Sequence, residues 1–306
     1  MMALDEFTAT ALRLSVPVAY AALGGAVAER AGVYHVALEG AMLAGCFGAA
    51  LGAFHGGAMV GLLAGMLAGV LVGALLAAMT VSLRLPQIVC GISVNLLVIG
   101  LTAYLSRIAF SGQANTLHLP GLVDPWFPAL AGVPLLGPAF FAQPPLMTAL
   151  PVLAVALWWW LHRTHAGLAL RAVGEAPRCA DANGIDVQRT RWMAVVVASV
   201  CASLGGCFIV LSQVFLFSEH MTAGKGFIAL AAVILGRWSL WGALLAAVFF
   251  GGFDALQLKL QFSQPGLPYQ LFVALPYMAA LLALVGLMGR SSPPHAVGQP
   301  YQRSTR

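Results

Sequence analysis

Charged residues are scarce in this chain: Asp, Glu, Lys and Arg together make up 8% of its 306 residues. A soluble domain carries about 25% charged residues, because polar side chains must cover its surface in water. Hydrophobic residues make up 60% of this chain. The composition argues against a soluble enzyme and a disordered chain. It predicts an all-α polytopic membrane protein whose surface faces the lipid bilayer.

Clusters of basic residues and of metal-ligating residues are also missing. The net charge is +5, but the basic residues stand between apolar runs, which favours a positive-inside pattern over nucleic-acid binding. The five cysteines form no CxxC pair, and four of them lie in apolar runs, which is typical of small buried side chains. We therefore expect no nucleic-acid partner and no metal site.

The sequence motifs of common enzymes are absent as well. The chain has no G-x-x-x-x-G-K-[ST] sequence, so we expect it to form no P-loop for ATP. It also has no H-E-x-x-H and no G-x-S-x-G sequence, the signatures of common metalloproteases and hydrolases. We expect no catalytic residues, and an intramembrane enzyme is the weakest hypothesis.

Long apolar segments are abundant, and they predict eight to ten transmembrane helices. Each needs about 20 residues to cross the hydrocarbon core. The transmembrane domain is expected over residues 11–288, after an N-terminal segment of residues 1–10. The prolines and polar residues of the tail, residues 289–306, predict disorder. Phe227–Gly236 is too short to span alone, and we expect it to be half of a broken helix.

The distribution of arginine predicts the orientation. Five arginines fall within residues 163–191, whereas residues 109–145 contain no Lys or Arg. The positive-inside rule makes the first loop cytoplasmic and the second external. Further arginines are then expected on the cytoplasmic side, provided that Phe227–Gly236 completes a crossing: Arg30, Arg84, Arg237, Arg290, Arg303 and Arg306.

Glycines recur every four residues in two neighbouring segments. One series is Gly48, Gly52 and Gly56, and the other is Gly61, Gly65, Gly69 and Gly73. Small residues at this spacing let two helix backbones approach closely. Packing within the chain is the favoured interpretation; a pore-lining or subunit-contact role is the alternative.

The arginine-rich loop contains signals for short helices. Pro177 and Glu175 are typical of a helix N-terminus, which predicts a short helix over Pro177–Asn183. Gly184 is a typical stop after such a helix, and Asp186 can cap a second helix that enters the next span. A compact helix–glycine–helix unit is suited to docking a soluble partner, although an ordinary basic loop explains the arginines alone.

Few polar residues lie within the apolar segments, where they are expensive and usually functional. Glu39, Asn95 and Gln257 are candidates for a translocation path, and a packing hydrogen bond is the alternative role of each. Asp254 is the one candidate carboxylate for an ion-coupled secondary transporter, which is the alternative hypothesis for function.

Five stretches of the sequence resemble one family of transport proteins. They are residues 29–40 (ERAGVYHVALEG), 92–97 (ISVNLL), 171–185 (RAVGEAPRCADANGI), 224–238 (GKGFIALAAVILGRW) and 254–257 (DALQ). In this order they resemble permease subunits of bacterial ABC importers, in the group that serves branched-chain amino acids, ribose-type sugars and nucleosides. The resemblance covers nearly the whole transmembrane domain. It is greatest to the nucleoside permeases that pair with binding lipoproteins of the basic-membrane-protein type.

This resemblance implies a subunit that works by alternating access and holds no cofactor. ATP would be bound and hydrolysed by a separate ABC ATPase subunit. A second permease, either a different chain or a second copy, would complete the pathway, and an external substrate-binding protein would deliver the solute. The chain would be a multi-pass protein of the bacterial cytoplasmic (inner) membrane.

The resemblance also makes residues 163–191 a coupling-helix loop that docks the ATPase. The residues expected to form the docking element are Glu175, Pro177, Ala180, Gly184, Asp186 and Arg189. The sequence departs from the family where Arg178 stands at a commonly acidic position, which changes the charge of the expected contact. A second departure is at His35, in the first of the five stretches.

Overall fold

The computed structural model describes residues 4–110, 118–125, 143–263, 269–287 and 293–302. Most of the expected external loop lies outside these residues, as do Arg290, Arg303 and Arg306. Within the described residues the regular secondary structure is helical. The helices are α1 (Leu4–Arg30), α2 (Leu38–Ala77), α3 (Gln87–Ala109), α4 (Pro145–Arg163), α5 (His165–Glu175), α6 (Pro177–Ala182), α7 (Val187–Phe208), α8 (Lys225–Leu235), α9 (Leu240–Ser263) and α10 (Tyr269–Leu287).

Six of the described helices are long and apolar enough to cross a membrane. Two of them, α2 and α7, continue through π-helical turns at Ala78–Ser82 and Ile209–Val214. Two shorter apolar helices, Lys225–Leu235 and Gln270–Leu282, accompany the six. The fold is therefore the all-α polytopic bundle that the composition predicts.

Helix α2 is a hairpin of two antiparallel arms. Gly57 breaks the helix with a φ of 84°, a left-handed conformation that glycine adopts without steric cost. The arms pack through glycines: a Cβ on Gly52 would lie 2.7 Å from the carbonyl oxygen of Val60, and one on Gly61 would lie 2.6 Å from that of Ala49. The glycine series is thus used for packing within the chain, as the spacing favours.

Helices α1 and α7 form the centre of the bundle. Their most apolar windows are 83% and 78% buried, against 33% for α3, α4 and α9. Helix α7 also receives the second glycine series, since a Cβ on Gly73 would lie 2.9 Å from Cβ of Ser199. The peripheral helices present apolar side chains outward, as a surface in lipid requires.

Helix α8 is too short to cross a membrane alone. The π-helical turn after α7 ends at Val214, turns occupy residues 215–224, and α8 then runs for 11 residues. At about 1.5 Å per residue α8 covers about 16 Å, roughly half of a hydrocarbon core of about 30 Å. The expected segment Phe227–Gly236 thus falls on the short helix Lys225–Leu235, and its role as half of a broken crossing stays a prediction.

Most of the described arginines lie at one end of the bundle. Arg30, at the end of α1, donates from Nε to the carbonyl oxygen of Trp238 at 2.7 Å. Arg84 borders the same groove as Asp181 and Asp186. We call this end, with residues 163–191, the arginine-rich end. The tip of the α2 hairpin at Gly57 lies at the opposite end.

Candidate functional site

The segment from α5 to α7 follows the signals in its sequence. Pro177 starts α6, which ends at Ala182 with Asn183 as its C-cap. Gly184 follows with a φ of 83°, and the carboxylate of Asp186 accepts a hydrogen bond from the backbone N–H of Arg189 at 2.9 Å. The predicted short helix, glycine stop and helix cap are therefore present, and Asp186 caps the long helix α7.

Helix α6 has an inner and an outer face. Ala180 is 3% exposed and packs with Val173 and Val187 in a small apolar cluster apart from the main core. The outer face carries exposed residues: Arg178, Cys179, Ala182 and Asn183. The arrangement holds α6 against the bundle by one buried methyl group and leaves a polar, cationic face free.

The six residues expected to form the docking element lie together, but they differ in environment. Glu175, Gly184, Asp186 and Arg189 are exposed, Pro177 is half-buried and Ala180 is buried. Ala180 therefore positions the helix from within. Glu175, at the end of α5, accepts a long hydrogen bond of 3.5 Å from the backbone N–H of His295.

Residues 293–302 of the tail lie against this segment, and the expected disorder of the tail stays a prediction. Ala296 donates its N–H to the carbonyl oxygen of Gly174 at 2.9 Å, and Arg191 donates from Nη1 to that of Gln299 at 2.8 Å. The hydroxyl of Tyr301 donates to Oδ2 of Asp181 at 2.9 Å. Three helices therefore contact the tail: α5 through a backbone carbonyl group, and α6 and α7 through side chains. Residues 289–292 and 303–306 lie outside the described residues.

A groove of about 290 Å³ separates α6 from the end of the α2 hairpin. Thr80 and Arg84 border it on one side, and Asp181, Gly184 and Asp186 on the other. Gln188 and Trp192 also reach the hydroxyl of Ser82 from α7, at 3.5 and 2.9 Å. The loop segment is thus linked to two long helices, α2 and α7.

Glu39 lies buried beside the start of α8. It is 5% exposed, and its carboxylate accepts hydrogen bonds from Oγ1 of Thr222 at 2.6 Å, from N–H of Gly224 at 2.9 Å and from N–H of Gly226 at 2.6 Å. A negative group at a helix N-terminus is favourable. Glu39 therefore holds the first turn of α8, a role that Thr222 shares and the sequence did not reveal.

Asn95 does the same for the start of α2. Its Oδ1 accepts from the N–H of Gly40 at 2.7 Å, and its Nδ2 donates to the carbonyl oxygen of Val36 at 3.0 Å. Asn95 is 3% exposed, and both of these bonds go to backbone. Of the two roles open to Asn95, the packing hydrogen bond is the one observed.

Gln257 has a different setting, because it borders a cavity. Lys225, Asp254 and Tyr277 border the same cavity, whose volume is about 240 Å³. Nζ of Lys225 lies 3.2 Å from Oδ2 of Asp254, so the carboxylate expected for ion coupling is neutralised by a lysine of the neighbouring helix. Glu39 and Asn95 both lie near the start of α2, whereas Gln257 borders the cavity beside Asp254.

Sequence reasoning missed Lys225 and Tyr277 as members of this group. Lys225 stands between two glycines immediately before an apolar run. This pattern is typical of a charged residue at the terminus of a membrane helix, and it could have identified Lys225 from the sequence. Tyr277 gives no local signal, because its hydroxyl reaches the carbonyl oxygen of Ala223, 54 residues away, at 3.0 Å.

Comparisons with known proteins agree with this architecture. A family model described as the permease component of the branched-chain amino acid transport system matches residues 7–286. The chain is 35% identical over 308 residues to the guanosine ABC transporter permease protein NupQ of Bacillus subtilis, with 95% of each chain covered. It is 33% identical over 317 residues to the nucleoside ABC transporter permease protein NupC of Lactococcus lactis, with 98% of each covered.

A relative with another named solute is also similar. The putative glucose ABC transporter permease protein TsgC13 of Haloferax volcanii is 34% identical over 247 residues, which are 79% of this chain and 73% of that protein. No solved structure matches the chain. The family match covers nearly the whole bundle, including the arginine-rich end and the short helix α8. The chain therefore belongs to the family of permease components of the branched-chain amino acid transport system type, and it is a multi-pass permease component of an ABC transporter.

Proposed function

We propose that the chain takes up nucleosides as one permease subunit of an ATP-driven importer and that its arginine-rich loop docks the ATPase. Permeases of this family work with ATPase and substrate-binding partners. Beyond this general role, we propose which solute is transported, which residues dock the ATPase and which subunits assemble with this chain. In a bacterium the protein would reside in the cytoplasmic (inner) membrane, with the arginine-rich end in the cytoplasm.

The nucleoside assignment is supported by similarity along the whole chain. Two relatives named for guanosine and for nucleosides match at least 95% of their length and of this chain. The glucose-named relative matches a smaller share of each chain. This difference favours nucleosides over simple sugars as the solute.

The observation that carries the docking proposal is the geometry of α6. This helix is held from behind by Ala180, is stopped by Gly184, and presents Arg178 and Asn183 to solvent. It also lies at the end of the bundle that the positive-inside rule assigns to the cytoplasm. In the proposal, Glu175, Pro177, Gly184, Asp186 and Arg189 complete the surface that receives the ATPase.

The chain itself would neither bind nor hydrolyse ATP. Closure of the ATPase would move α6, and the contacts of α6 and α7 with the end of α2 would transmit that movement to the long helices. Because the motor binds one conformation better, it shifts the balance between inward-facing and outward-facing states. A second permease, most simply a different chain, completes the pathway, and an external binding protein delivers the nucleoside.

Substitution of Gly184 by leucine tests the docking surface. A Cβ at Gly184 meets no heavy atom within 4 Å, so leucine adds backbone strain at a φ of 83° but no clash within the permease, whereas its side chain obstructs a partner on that surface. Gly57 provides a matched control: it also has a left-handed φ and open space, but it lies at the opposite end. We expect Gly184→Leu to reduce copurification of the ATPase and ATP-dependent uptake of labelled guanosine, while Gly57→Leu copurifies normally.

Two results would contradict the proposal. Equal copurification of the ATPase with both variants would exclude docking at Gly184. Guanosine uptake that persists in cells lacking every candidate ATPase would exclude an ATP-driven importer. The alternative of an ion-coupled transporter based on Asp254 has less support, because that carboxylate is paired with Lys225 and the relatives are ABC permeases.

A further inference from the structure

The cavity beside Asp254 lies near the middle of the bundle. Asp254 is 14 residues after Leu240, the first residue of α9, so it stands about 21 Å from the arginine-rich end at a rise of about 1.5 Å per residue. The volume of the cavity, about 240 Å³, equals that of about eight water molecules at about 30 Å³ each. The space is therefore on the scale of a small organic solute and not of a single bound water.

The polar side of this cavity offers both hydrogen-bond donors and acceptors. Lys225 donates, Asp254 accepts, and the amide of Gln257 does both. The ion pair is partly open, since the Lys225 and Asp254 side chains are 22% and 15% exposed. The hydroxyl of Tyr277 is directed to the carbonyl oxygen of Ala223, which fixes its ring at the edge of the cavity.

The charges of the cavity select the class of solute. Lys225 and Asp254 compensate each other at 3.2 Å, so the site has no unbalanced charge to attract an ion. A free amino acid would have to compete with this ion pair, because its ammonium would take Asp254 and its carboxylate would take Lys225 from each other. A neutral solute with neighbouring hydroxyls suits the pair better, because a carboxylate accepts from two hydroxyl groups while the ammonium donates to a third oxygen.

The lining of the cavity also includes apolar residues. Leu14, Ile228 and Pro276 contribute to it from α1, α8 and α10. An apolar lining with a few polar groups is the usual composition of a small-molecule site. It provides a surface for the flat ring of a nucleobase while the ribose hydroxyls face the ion pair.

We propose that this cavity is a subsite for the ribose of a nucleoside in transit. In it, the Asp254 carboxylate accepts hydrogen bonds from the ribose hydroxyls, the Gln257 amide accepts or donates them, and Lys225 holds the Asp254 carboxylate in place. The inference rests on the proposed nucleoside uptake and deepens it. Charged groups within membrane helices are costly and usually have a function. A purely structural clamp between α8 and α9 is the competing explanation of the pair.

Transport kinetics of the complete importer test the subsite. The permease with its ATPase, second permease and binding protein is reconstituted in proteoliposomes, and ATP-dependent uptake is measured for guanosine and for 2′-deoxy and 3′-deoxy analogues. We expect Asp254→Asn to raise KM for guanosine by about tenfold and to reduce the preference for guanosine over its deoxy analogues, because the lost interaction is made only by the hydroxyls.

Two further variants separate a binding site from a clamp. Gln257→Leu leaves the ion pair intact, and we expect it also to weaken the preference for ribose hydroxyls. The double variant Lys225→Met with Asp254→Leu replaces the pair by apolar side chains that can still pack α8 on α9. If the pair binds solute, the double variant stays impaired; normal guanosine uptake by it would overturn the proposal in favour of a clamp.

The control is the exposed ion pair between Arg107 and Glu219 at the other end of the bundle, with 3.1 Å between Nε and Oε1. Glu219→Gln removes a carboxylate of a comparable pair outside the cavity, and we expect unchanged KM and selectivity. Unchanged kinetics in both Asp254→Asn and Gln257→Leu would refute the subsite while leaving nucleoside uptake intact. Failure of the unaltered importer to take up any nucleoside would instead refute the proposed function, and the subsite with it.

Discussion

Glu39 and Asp254 are two carboxylates beside the same first turn of α8, yet their surroundings differ. Glu39 is 5% exposed, and its two oxygens accept hydrogen bonds from one hydroxyl and two backbone N–H groups. Asp254 forms an ion pair with Lys225 and borders a cavity. A buried carboxylate that already accepts from three donors of the chain has little capacity left for a solute, whereas one that opens onto a cavity can meet a solute.

The contrast shows why the presence of a polar residue in a span does not identify a binding site. Asn95 and Glu39 stand in apolar segments as clearly as Gln257 does. Asn95 and Glu39 form hydrogen bonds with backbone groups at helix starts, which have no other partner within a bilayer. The contrast predicts a graded series of losses in stability, in which the carboxylate at the cavity has the smallest effect.

The largest loss is expected for Glu39→Ala. The change removes a charged acceptor from three donors and leaves the part-buried N–H of Gly224 and the buried N–H of Gly226 without it. Hydrogen bonds to charged groups contribute about 1.5–3 kcal/mol each, so we expect the free energy of unfolding to fall by at least about 3 kcal/mol. Thermal unfolding of the purified protein in detergent measures this loss, and Glu39→Gln, which keeps one acceptor oxygen, should be intermediate. A fully stable Glu39→Ala would remove the capping role.

Asn95→Ala should come next. It breaks the buried bond from Gly40 N–H and the part-buried bond to the Val36 carbonyl oxygen, and an unsatisfied buried group costs about 1–3 kcal/mol. We expect a loss of about 2 kcal/mol in the same unfolding measurement. Thr102→Val on the same helix is the matched control, because the Thr102 hydroxyl bonds only to carbonyl oxygens within α3. A loss no greater than that of Thr102→Val would contradict the assignment.

The sequence predicts some of these sites better than others, and chain separation explains the difference. Pro177, Gly184 and Asp186 are local signals that act within one or two helical turns, and the structure has the helix start, stop and cap at these residues. Glu39 meets Gly226 across 187 residues, and Tyr301 meets Asp181 across 120. No local pattern encodes such partners, so the sequence predicted neither the capping of α8 nor the contacts of residues 293–302.

Asp186→Ala should have a smaller effect than either buried change. Asp186 caps α7 as Glu39 caps α8, but it is exposed to water at the arginine-rich end. Water can replace the lost acceptor, and removal of a cap costs about 1 kcal/mol in such positions. Asp186→Ser retains a capping oxygen and should recover most of the stability. A loss as large as that of Glu39→Ala would show that burial is not what distinguishes the two caps.

Asp254→Asn should have the smallest effect on stability, although we expect a large effect on uptake. The amide oxygen of asparagine can still accept from the Lys225 ammonium, and the partial exposure of both side chains at the cavity leaves that ammonium room for hydration. Solvent-exposed ion pairs contribute about 0–1 kcal/mol; because this pair is partly hydrated and asparagine keeps one acceptor for Lys225, we expect a loss of about 0.5 kcal/mol in the free energy of unfolding. A loss of about 3 kcal/mol or more is typical when one partner of a fully buried pair is removed. That result would make Asp254 a structural residue like Glu39 and would end the distinction between the two carboxylates.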